Sequence, residues 1–348
     1  MFKGRDVGGA TVGKIVRPAS ASSTRVLLSD GLRQTGSVTE PQRRRWTPGR
    51  PLDVLAVIGG LRRGRGDPTF CRDPDGTIWR GIRTPQGAST LRLGQGLPAG
   101  GFTIEATAWG PGAEWALASV PGMLGEQDDA TGFVAHHPQV AQAARRFNGW
   151  RVPRTGLVLE ALIPAIIEQK VLGQEAFGSY RTLIHRYGER APGEGGARGL
   201  WVAPRAGGWA RIPSWEWLRA GVDGSRSAAA VRAAGAAGRL EQCVDLTRDE
   251  AHRRLRAVPG IGIWTAAEVR HRALGDPDAV SFGDYHVAKD IGWALTGAEV
   301  DDDGLAELLE PYSGHRYRVQ RLVQLVGARR PRHGPRLPLR SHLPNRQT

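Results

Sequence analysis

One aspartate, Asp284, stands where a carboxylate could act on a substrate. It follows the short run Ala279-Val-Ser-Phe-Gly283 and precedes a helix-like segment, residues 285–295. An aspartate before a helix is a favoured N-cap, because its side chain accepts hydrogen bonds from first-turn N–H groups. The same position keeps the carboxylate ionised beside the positive end of the helix. Asp284 is therefore either a cap or a charge that stabilises a cationic sugar and orients an attacking water.

A hairpin motif, Pro259-Gly-Ile-Gly262, lies upstream between two predicted helices. The first helix begins at Thr247, with Glu250 three residues on in a capping-box pattern, and the second covers residues 264–273. Proline ends a helix, and glycine allows backbone angles that other residues resist. Bare N–H groups at the start of the second helix suit a phosphate. An ordinary corner between two helices explains the motif equally well.

Together the hairpin and the aspartate resemble the helix-hairpin-helix (HhH-GPD) DNA glycosylase superfamily, and within it the 3-methyladenine DNA glycosylase II branch. The core of the resemblance is Val258-Pro-Gly-Ile-Gly-Ile-Trp-Thr-Ala266 with Phe282-Gly-Asp-Tyr285, and it extends over residues 138–326. A second match is Leu162-Ile-Pro-Ala-Ile-Ile-Glu-Gln-Lys-Val171, where the family has a helix end near the opened duplex. The implied fold is mainly α with a smaller α+β part.

The resemblance implies base excision. A base inside a duplex must be flipped out before an active site reaches it. Cleavage of the glycosidic bond makes the sugar cationic, and the resemblance assigns the catalytic carboxylate that offsets this charge to Asp284. In family members that also cut the strand, a lysine stands where this chain has Trp264. Without that amine no Schiff base forms, so we expect a monofunctional enzyme that leaves an abasic site.

The resemblance also suggests a pocket for the base. Alkylated purines of the 3-methyladenine and 7-methylguanine type are cationic and stack well on electron-rich rings. We expect the pocket residues to be Trp264, Glu268, Tyr285 and Tyr312. Glu268 stands where the family often has an aromatic residue, so it either attracts a cationic base or faces solvent. For each aromatic residue, packing in the core is the alternative.

The DNA contacts implied by the resemblance centre on the hairpin. The expected set is Gln169, Pro259, Gly260, Ile261, Gly262, Ile263 and Thr265. Phosphate contacts of this kind position the enzyme without reading sequence. The family hairpin also binds a monovalent cation through backbone carbonyls, here near Val258 and Ile261. No side-chain metal site and no other cofactor is expected.

Composition agrees with a partner that is a polyanion. The 348 residues have a net charge of +14 and contain no apolar run long enough for a membrane helix, which favours double-stranded DNA with a damaged base. The two cysteines, Cys71 and Cys243, are far apart, which argues against zinc and against an iron–sulfur cluster. A reducing cytoplasmic compartment, with attachment to the nucleoid through DNA, and a monomer are the expectations.

The chain divides into four parts by composition and hydrophobic pattern. Residues 1–45 read as a weakly ordered arm, 46–125 as a β-rich domain, 126–326 as the helical glycosylase domains and 327–348 as a basic proline-rich tail. In the second part, strands are predicted on both sides of the Asp73-Pro-Asp-Gly76 turn and over residues 88–93 and 102–109. Residues 110–132 are predicted to include the linker into the helical part.

Two rival functions remain open from the sequence. One is a glycosylase for oxidised or deaminated bases, which shares the hydrolytic chemistry but not the pocket for a cation. The other is a non-catalytic HhH protein that keeps the hairpin for phosphate contact. The presence of Asp284 in its expected context argues against this second rival.

Overall fold

Five antiparallel strands form the N-terminal sheet. The structure is a computed structural model and describes residues 40–96 and 102–331. The strands are β1 (Gln42–Trp46), β2 (Phe70–Arg72), β3 (Ile78–Thr84), β4 (Gly87–Gly96) and β5 (Thr103–Trp109). Their spatial order is β1-β5-β4-β3-β2, so only β1 lies out of sequence order.

One face of this sheet is covered by two helices, α1 (Val54–Ile58) and α2 (Ala113–Met123). Alternate residues of the strands are apolar and fully buried, because side chains of a strand point to opposite faces. The buried set includes Ile78, Ile82, Leu91, Leu93 and Ile104. The predicted turn is confirmed: the Gly76 N–H donates to the Asp73 carbonyl at 3.0 Å.

The structure corrects one boundary in this region and shows a helix within the predicted linker segment. Residues 42–45, assigned above to the arm, form most of β1, whose backbone pairs with β5 while these four side chains stay exposed. A run of charges is compatible with an edge strand, where only the backbone need be paired. Residues 110–132, predicted to include the linker, contain α2, which buries Ala116, Val120 and Met123 against the sheet. Residues 1–39 and 332–348, most of the predicted arm and tail, lie outside the described residues.

Thirteen further α-helices and a two-stranded sheet follow within the described residues. The strands are β6 (Glu189–Arg190) and β7 (Trp201–Val202). The helices are α3 (Pro138–Arg146), α4 (Val158–Glu168), α5 (Gly173–Tyr187), α6 (Glu194–Ala197), α7 (Ala206–Ala210), α8 (Ser214–Arg219), α9 (Gly224–Gly235), α10 (Ala237–Glu241), α11 (Arg248–Arg256), α12 (Ile263–Val269), α13 (Val287–Thr296), α14 (Asp302–Leu309) and α15 (Arg316–Leu325). The architecture is mainly α with a small antiparallel sheet, as the sequence predicted.

Helix α4 is the centre of the helical part. All of its residues except Glu160 and Glu168 are buried, and its neighbours include α5, α9 and α12. A helix that is apolar on every side belongs in a core. The helix continues through Pro164, and Glu168, its last residue, leaves the apolar core at the edge nearest α12.

The two hairpin helices form as predicted. Thr247 and Glu250 make a complete capping box at the start of α11. Helix α12 begins one residue before the predicted start and continues as a π-helical turn over Arg270–Leu274, which ends at Gly275 with φ of +71°. None of the described helices is long and apolar enough to cross a membrane.

The last helix connects the two halves of the described chain. Tyr317 and Leu322 of α15 pack in the same apolar cluster as the N-terminal sheet. Val319 and Val323, on another side of α15, pack with α13 and α14. Because α15 is shared in this way, one of its faces can be held beside both α12 and the segment that follows α1.

Candidate functional site

The hairpin contains one glycine that the fold itself requires. Gly260 has φ of +96°, a backbone angle that side-chain-bearing residues rarely adopt. A Cβ atom added there would lie 2.7 Å from the Ala229 Cβ atom. The next residue, Ile261, is buried, and its N–H donates to the Val258 carbonyl at 3.0 Å. This side of the turn therefore faces the protein interior.

The fold does not require a glycine at the second position, Gly262. Gly262 has an ordinary φ of −86°, and an added Cβ would meet nothing within 4 Å. It is exposed, and Ile263 beside it is 50% exposed. Gly262 is the N-cap of α12 and provides no side-chain hydrogen bond to the first turn. Open space here leaves room for a partner to approach the backbone.

Gln169 ties helix α4 to the hairpin. Its Nε2 atom donates to the Gly260 carbonyl at 2.9 Å and to the Thr265 Oγ1 atom at 2.8 Å. Thr265 is only 2% exposed. The Thr265 and Ile261 side chains are therefore packed inside the protein, because the hairpin packs this side against α4. A DNA contact through the backbone of these two residues stays a prediction. Gln169 itself is half-buried, and its hydrogen bonds connect the end of α4 to the hairpin.

The predicted DNA-binding residues that are exposed on the surface are Pro259, Gly260, Gly262 and Ile263. Pro259 is fixed from behind, since its carbonyl accepts the Arg232 Nε–H at 3.1 Å. Lys170, next to Gln169, is exposed and has φ of +55°. The carbonyls of the turn are hard oxygen ligands of the kind that suit a monovalent cation, and each has two lone pairs. A cation near Val258 and Ile261 stays a prediction.

A cavity of about 220 Å³ opens beside the hairpin helix. It is lined by Val57, Gly60, Leu61, Pro153, Glu168, Trp264, Glu268, His271, Arg272, Ser281, Asp284, Val287, Tyr317, Gln320, Arg321 and Gln324. Predicted residues Trp264, Glu268 and Asp284 are thus brought together. The segment after α1, helices α4 and α12, the Asp284 loop and helix α15 each supply part of the wall.

Asp284 is held by three N–H donors. Its Oδ2 atom accepts the Trp264 Nε1–H at 3.2 Å. Its Oδ1 atom accepts the backbone N–H groups of His286 at 2.8 Å and Val287 at 3.2 Å. The carboxylate therefore caps the start of α13 and also lines the cavity, so capping does not exclude the functional interpretation, which stays a prediction. Gly283 before it has φ of +84°, a left-handed angle that suits glycine.

Glu268 is buried in an ion-paired network, so the alternative in which it faces solvent is wrong. Its Oε2 atom pairs with Arg272, and its Oε1 atom accepts the Ser281 hydroxyl at 2.7 Å. Burial acts to raise the pKa of Glu268, but the Arg272 charge and these hydrogen bonds lower it to about 2. The carboxylate is ionised, but its charge and both of its oxygen atoms are already matched by the protein.

His271 is neutral in this wall. Burial lowers the pKa of His271 to about 3. Its Nε2 atom lies 2.9 Å from Arg272 Nη1, which can only donate, so Nδ1 carries the hydrogen and faces the Ala279 carbonyl at 3.3 Å. The ring stacks on Tyr317, with centroids 4.0 Å apart and planes at 4°. The Glu268 oxygen 3.8 Å from the Nε2 atom is therefore not in an ion pair with it.

Glu168 is a cavity residue that the sequence reasoning did not select. Its Oε1 atom lies 3.0 Å from Arg63 Nη1, and its side chain is 16% exposed. Burial raises the pKa of Glu168, opposed by Arg63 and Arg272 and reinforced by the charges of Glu268 and Asp284. The available signal was a glutamate at the end of an otherwise apolar helix, directly before Gln169.

Two predicted pocket residues do not line the cavity. Tyr285 is 68% exposed and lies under the Lys289 amine, 4.5 Å from its ring centroid. The chain turns at Asp284, so adjacent residues face different surroundings. Tyr312 is 2% exposed, and its hydroxyl accepts the His137 N–H at 2.9 Å. It packs in the core, the alternative stated above. Tyr317, five residues on, is the tyrosine that reaches the cavity.

Comparisons with known proteins agree on the fold. The structure matches 3-methyladenine DNA glycosylase from Archaeoglobus fulgidus with a TM-score of 0.67 and 17% identity, over 81% of this chain and 97% of that one. It also matches 8-oxoguanine glycosylase/lyase from Clostridium acetobutylicum in its apo form, with a TM-score of 0.61 and 12% identity, over 83% of this chain and 98% of that one.

The second enzyme also matches in its complex with double-stranded DNA that has cytosine opposite 8-oxoguanine. There the TM-score is 0.59 at 12% identity, over 78% of this chain and 90% of that one. By sequence, no family model and no curated protein matches. The chain therefore shares its fold with these DNA glycosylase structures, although its sequence is far from theirs.

Proposed function

We propose that this protein is a monofunctional DNA glycosylase of base excision repair. It hydrolyses the N-glycosidic bond of a flipped-out alkylated purine, of the 3-methyladenine or 7-methylguanine type, and leaves an abasic site. The observation that supports this most is the position of Asp284: a carboxylate fixed by Trp264 at a cavity beside an exposed glycine hairpin. Damaged double-stranded DNA is the proposed partner.

The hairpin and the cavity have complementary tasks in this mechanism. Backbone N–H groups around Gly262 bind phosphates next to the lesion, where the missing side chain lets the DNA backbone approach closely. The damaged nucleotide leaves the base stack and enters the cavity. Trp264 offers one ring at the cavity wall for stacking on a cationic base.

Asp284 acts on the sugar. As the glycosidic bond breaks, positive charge develops on the deoxyribose ring, and an ionised carboxylate nearby lowers the energy of that state. The three N–H donors fix the orientation of this carboxylate before the reaction, so little reorganisation is needed. One oxygen can then help a water molecule to attack the sugar.

Hydrolysis is favoured over strand cleavage by the composition of the wall. A lyase step requires an amine that forms a Schiff base with the sugar. Trp264 stands at the family's lysine position, and none of the described residues that line the cavity is a lysine. The product is therefore an abasic site in an unbroken strand.

A second candidate is a glycosylase for oxidised or deaminated bases. The observation in its favour is the polarity of the cavity, which combines the Glu268–Arg272 ion pair with Gln320 and Gln324. Such a wall recognises a neutral base by hydrogen bonds as readily as a charged one. The prediction that Glu268 itself attracts a cation is weakened, because Arg272 neutralises it.

The test is release of bases from duplex DNA by the purified protein. Methylated DNA should yield free 3-methyladenine or 7-methylguanine, and nicks should appear only after alkali. Release from 8-oxoguanine or hypoxanthine duplexes, without release from methylated DNA, would favour the second candidate. Nicks before alkali would contradict the monofunctional mechanism, and binding without any release would indicate a non-catalytic protein.

The remaining expectations belong to the same proposal. We propose a monomer that acts in the cytoplasm, attached to the nucleoid through DNA, and works without an iron–sulfur cluster. Size-exclusion chromatography with light scattering tests the monomer, and the visible absorption spectrum of protein purified without oxygen tests the cluster.

A further inference from the structure

Three carboxylates line the cavity, and two of them have both oxygens occupied. Asp284 accepts three N–H groups, one on Oδ2 and two on Oδ1. Glu268 pairs through Oε2 with Arg272 and accepts the Ser281 hydroxyl on Oε1. Each oxygen of these two carboxylates already has a partner within the protein, which leaves them less capacity for the edge of a base than a carboxylate without donors has.

The third carboxylate, Glu168, differs in this respect. Its Oε1 atom is buried beside Arg63 Nη1, 3.0 Å away in an ion pair without hydrogen-bond geometry, so Oε2 is the oxygen that can face the cavity. Among the described residues, no side chain or backbone group donates a hydrogen bond to Glu168. Buried polar atoms in folded proteins nearly always have such partners. The Oε2 atom, which has no donor among the described residues, can therefore accept hydrogen bonds from a ligand in this cavity.

We propose that Glu168 binds the extruded base directly, by accepting hydrogen bonds from its N–H groups. This inference rests on the proposed function and deepens it, since it identifies the residue that recognises the base. A carboxylate in this role selects bases with N–H donors on one edge. A positive charge on the base strengthens such bonds, because charge-assisted hydrogen bonds are roughly twice as strong as neutral ones.

Arg63 acts as a positioning residue for the Glu168 carboxylate. It is 5% exposed and is not among the cavity-lining residues, so it stands behind the carboxylate. Its own backbone N–H donates to the buried Asp67 at 2.6 Å, which fixes the loop after α1. In this ion pair the Glu168 carboxylate lies at the cavity and the Arg63 guanidinium lies behind it. The N-terminal part of the chain thus helps to form the proposed base site.

The neighbouring loop makes a second contact of this kind. The Arg272 Nε–H donates to the Gly60 carbonyl at 3.3 Å. The segment after α1 thus contacts both guanidinium–carboxylate pairs of this region, through Arg63 in the pair with Glu168 and through the Gly60 carbonyl at Arg272. We expect removal of the loop contacts to disturb base recognition even though the loop is far from Asp284 in sequence.

The experiment measures binding rather than catalysis. The probe is duplex DNA with 2′-fluoro-2′-deoxy-7-methylguanosine, whose fluorine resists cleavage by disfavouring a cationic sugar. The same duplex with unmodified deoxyguanosine at that site is the reference. The ratio of the two Kd values gives the lesion preference of each protein. Base release from the unfluorinated 7-methylguanine duplex is measured in parallel.

The main variant is Glu168→Gln, which keeps the size of the side chain but removes its charge. Since that leaves Arg63 unpaired and buried, a second protein combines Glu168→Gln with Arg63→Met. The matched control is Glu160→Gln, since Glu160 lies on the same helix and also pairs with an arginine, Arg80, away from the cavity. Thermal unfolding of each protein reports general damage.

For both Glu168 proteins we expect the lesion preference to fall roughly 10- to 100-fold, the size of one lost hydrogen bond to a charged group. The Glu160→Gln protein should keep the wild-type preference. A lesion preference within twofold of wild type in both Glu168 proteins would overturn the inference, as would an equal loss in the control. Lack of any lesion preference in the wild type would overturn it too.

Failure of the proposed function gives a different result. If the wild type prefers the lesion through Glu168 but releases no base, the recognition inference holds and the catalytic proposal fails. If the wild type releases base and the Glu168 proteins release it equally well and bind it equally well, the catalytic proposal holds and the inference fails.

Discussion

The hairpin and the cavity wall expose opposite kinds of chemistry. At Gly262 the chain offers backbone with no side chain within 4 Å of an added Cβ atom. In the cavity it offers side chains, with three carboxylates and Arg272 around about 220 Å³. A surface of bare backbone binds any phosphate, whereas a set of fixed side chains can distinguish one base from another. In the proposed function, this difference gives the hairpin the affinity for DNA and the cavity the selectivity among bases.

Of the substitutions considered, Asp284→Asn should have the largest effect on base release and little effect on DNA affinity. The substitution keeps the size of the side chain and removes the charge that stabilises the cationic sugar. We expect base release to fall by roughly 10²- to 10³-fold, the range for one preorganised electrostatic group. Single-turnover release of 7-methylguanine measures this, while a gel-shift assay should show DNA affinity close to wild type. Unchanged release would sink the proposed mechanism.

Trp264→Phe separates the aromatic ring from its hydrogen bond. Phenylalanine keeps a ring for stacking but lacks the N–H that Asp284 accepts at 3.2 Å. Loss of a hydrogen bond to a charged group should slow base release by roughly 10- to 100-fold. The control is Trp264→Leu, which removes both features and should release base more slowly still. Equal rates for the two variants would show that the hydrogen bond alone matters.

Substitutions at the two hairpin glycines should separate protein stability from DNA binding. Gly260→Ala places a side chain at φ of +96° and 2.7 Å from Ala229, so we expect a loss of unfolding free energy of about 1–3 kcal/mol. Gly262→Ala fits the fold but occupies the open space for DNA. It should unfold like wild type and bind duplex DNA several-fold more weakly.

Urea unfolding and fluorescence anisotropy measure these two effects separately. The pattern expected is a crossed one, in which Gly260→Ala lowers stability and Gly262→Ala lowers DNA affinity. If Gly262→Ala binds DNA as the wild type does, the hairpin backbone is not the phosphate site.

Acid should lower the free energy of unfolding through two residues of the cavity wall, His271 and Glu268. His271 has a pKa of about 3 in the folded protein against an ordinary 6.5, so only the unfolded chain takes up its proton at intermediate pH. Glu268 has a pKa of about 2 against an ordinary 4.5, so it also gains its proton first in the unfolded chain. Stability should therefore fall as pH drops from 6.5 toward 3, with Glu268 adding to the loss below 4.5.

Urea unfolding at pH values between 7 and 4 measures this slope. In a His271→Gln protein the part of the slope between 6.5 and 4.5 should become flatter. A slope identical to wild type in that range would mean that His271 is not the group responsible.

The sequence was most informative where function depends on the backbone. Pro259, Gly260 and Gly262 predicted the hairpin and its exposed turn, because proline and glycine act locally on φ and ψ. The capping box at Thr247 and the turn at Asp73 were likewise read from neighbouring residues. The resemblance then placed the pair of helices in a DNA glycosylase fold, which the structural comparisons confirm.

The sequence was less informative where residues meet across the chain. Tyr285 and Tyr312 were both assigned to the pocket, but adjacency to Asp284 and a family position do not fix the direction of a side chain. Glu268 was assigned without its partner Arg272, so its neutralised charge was missed. Arg63 and Glu168, which are 105 residues apart in the chain, could not be paired from spacing at all.

Local chemistry and tertiary packing thus decided different things. The sequence by itself determined the hairpin, the aspartate before α13 and the absence of a lysine at position 264, since each depends on the type of residue at one place. Only the tertiary structure decided which carboxylates share a cavity and which of them is left with unused hydrogen-bonding capacity. The physical reason is that charge and solvation at a buried group are set by all elements packed around it. For Glu168 those elements come from both ends of the described chain.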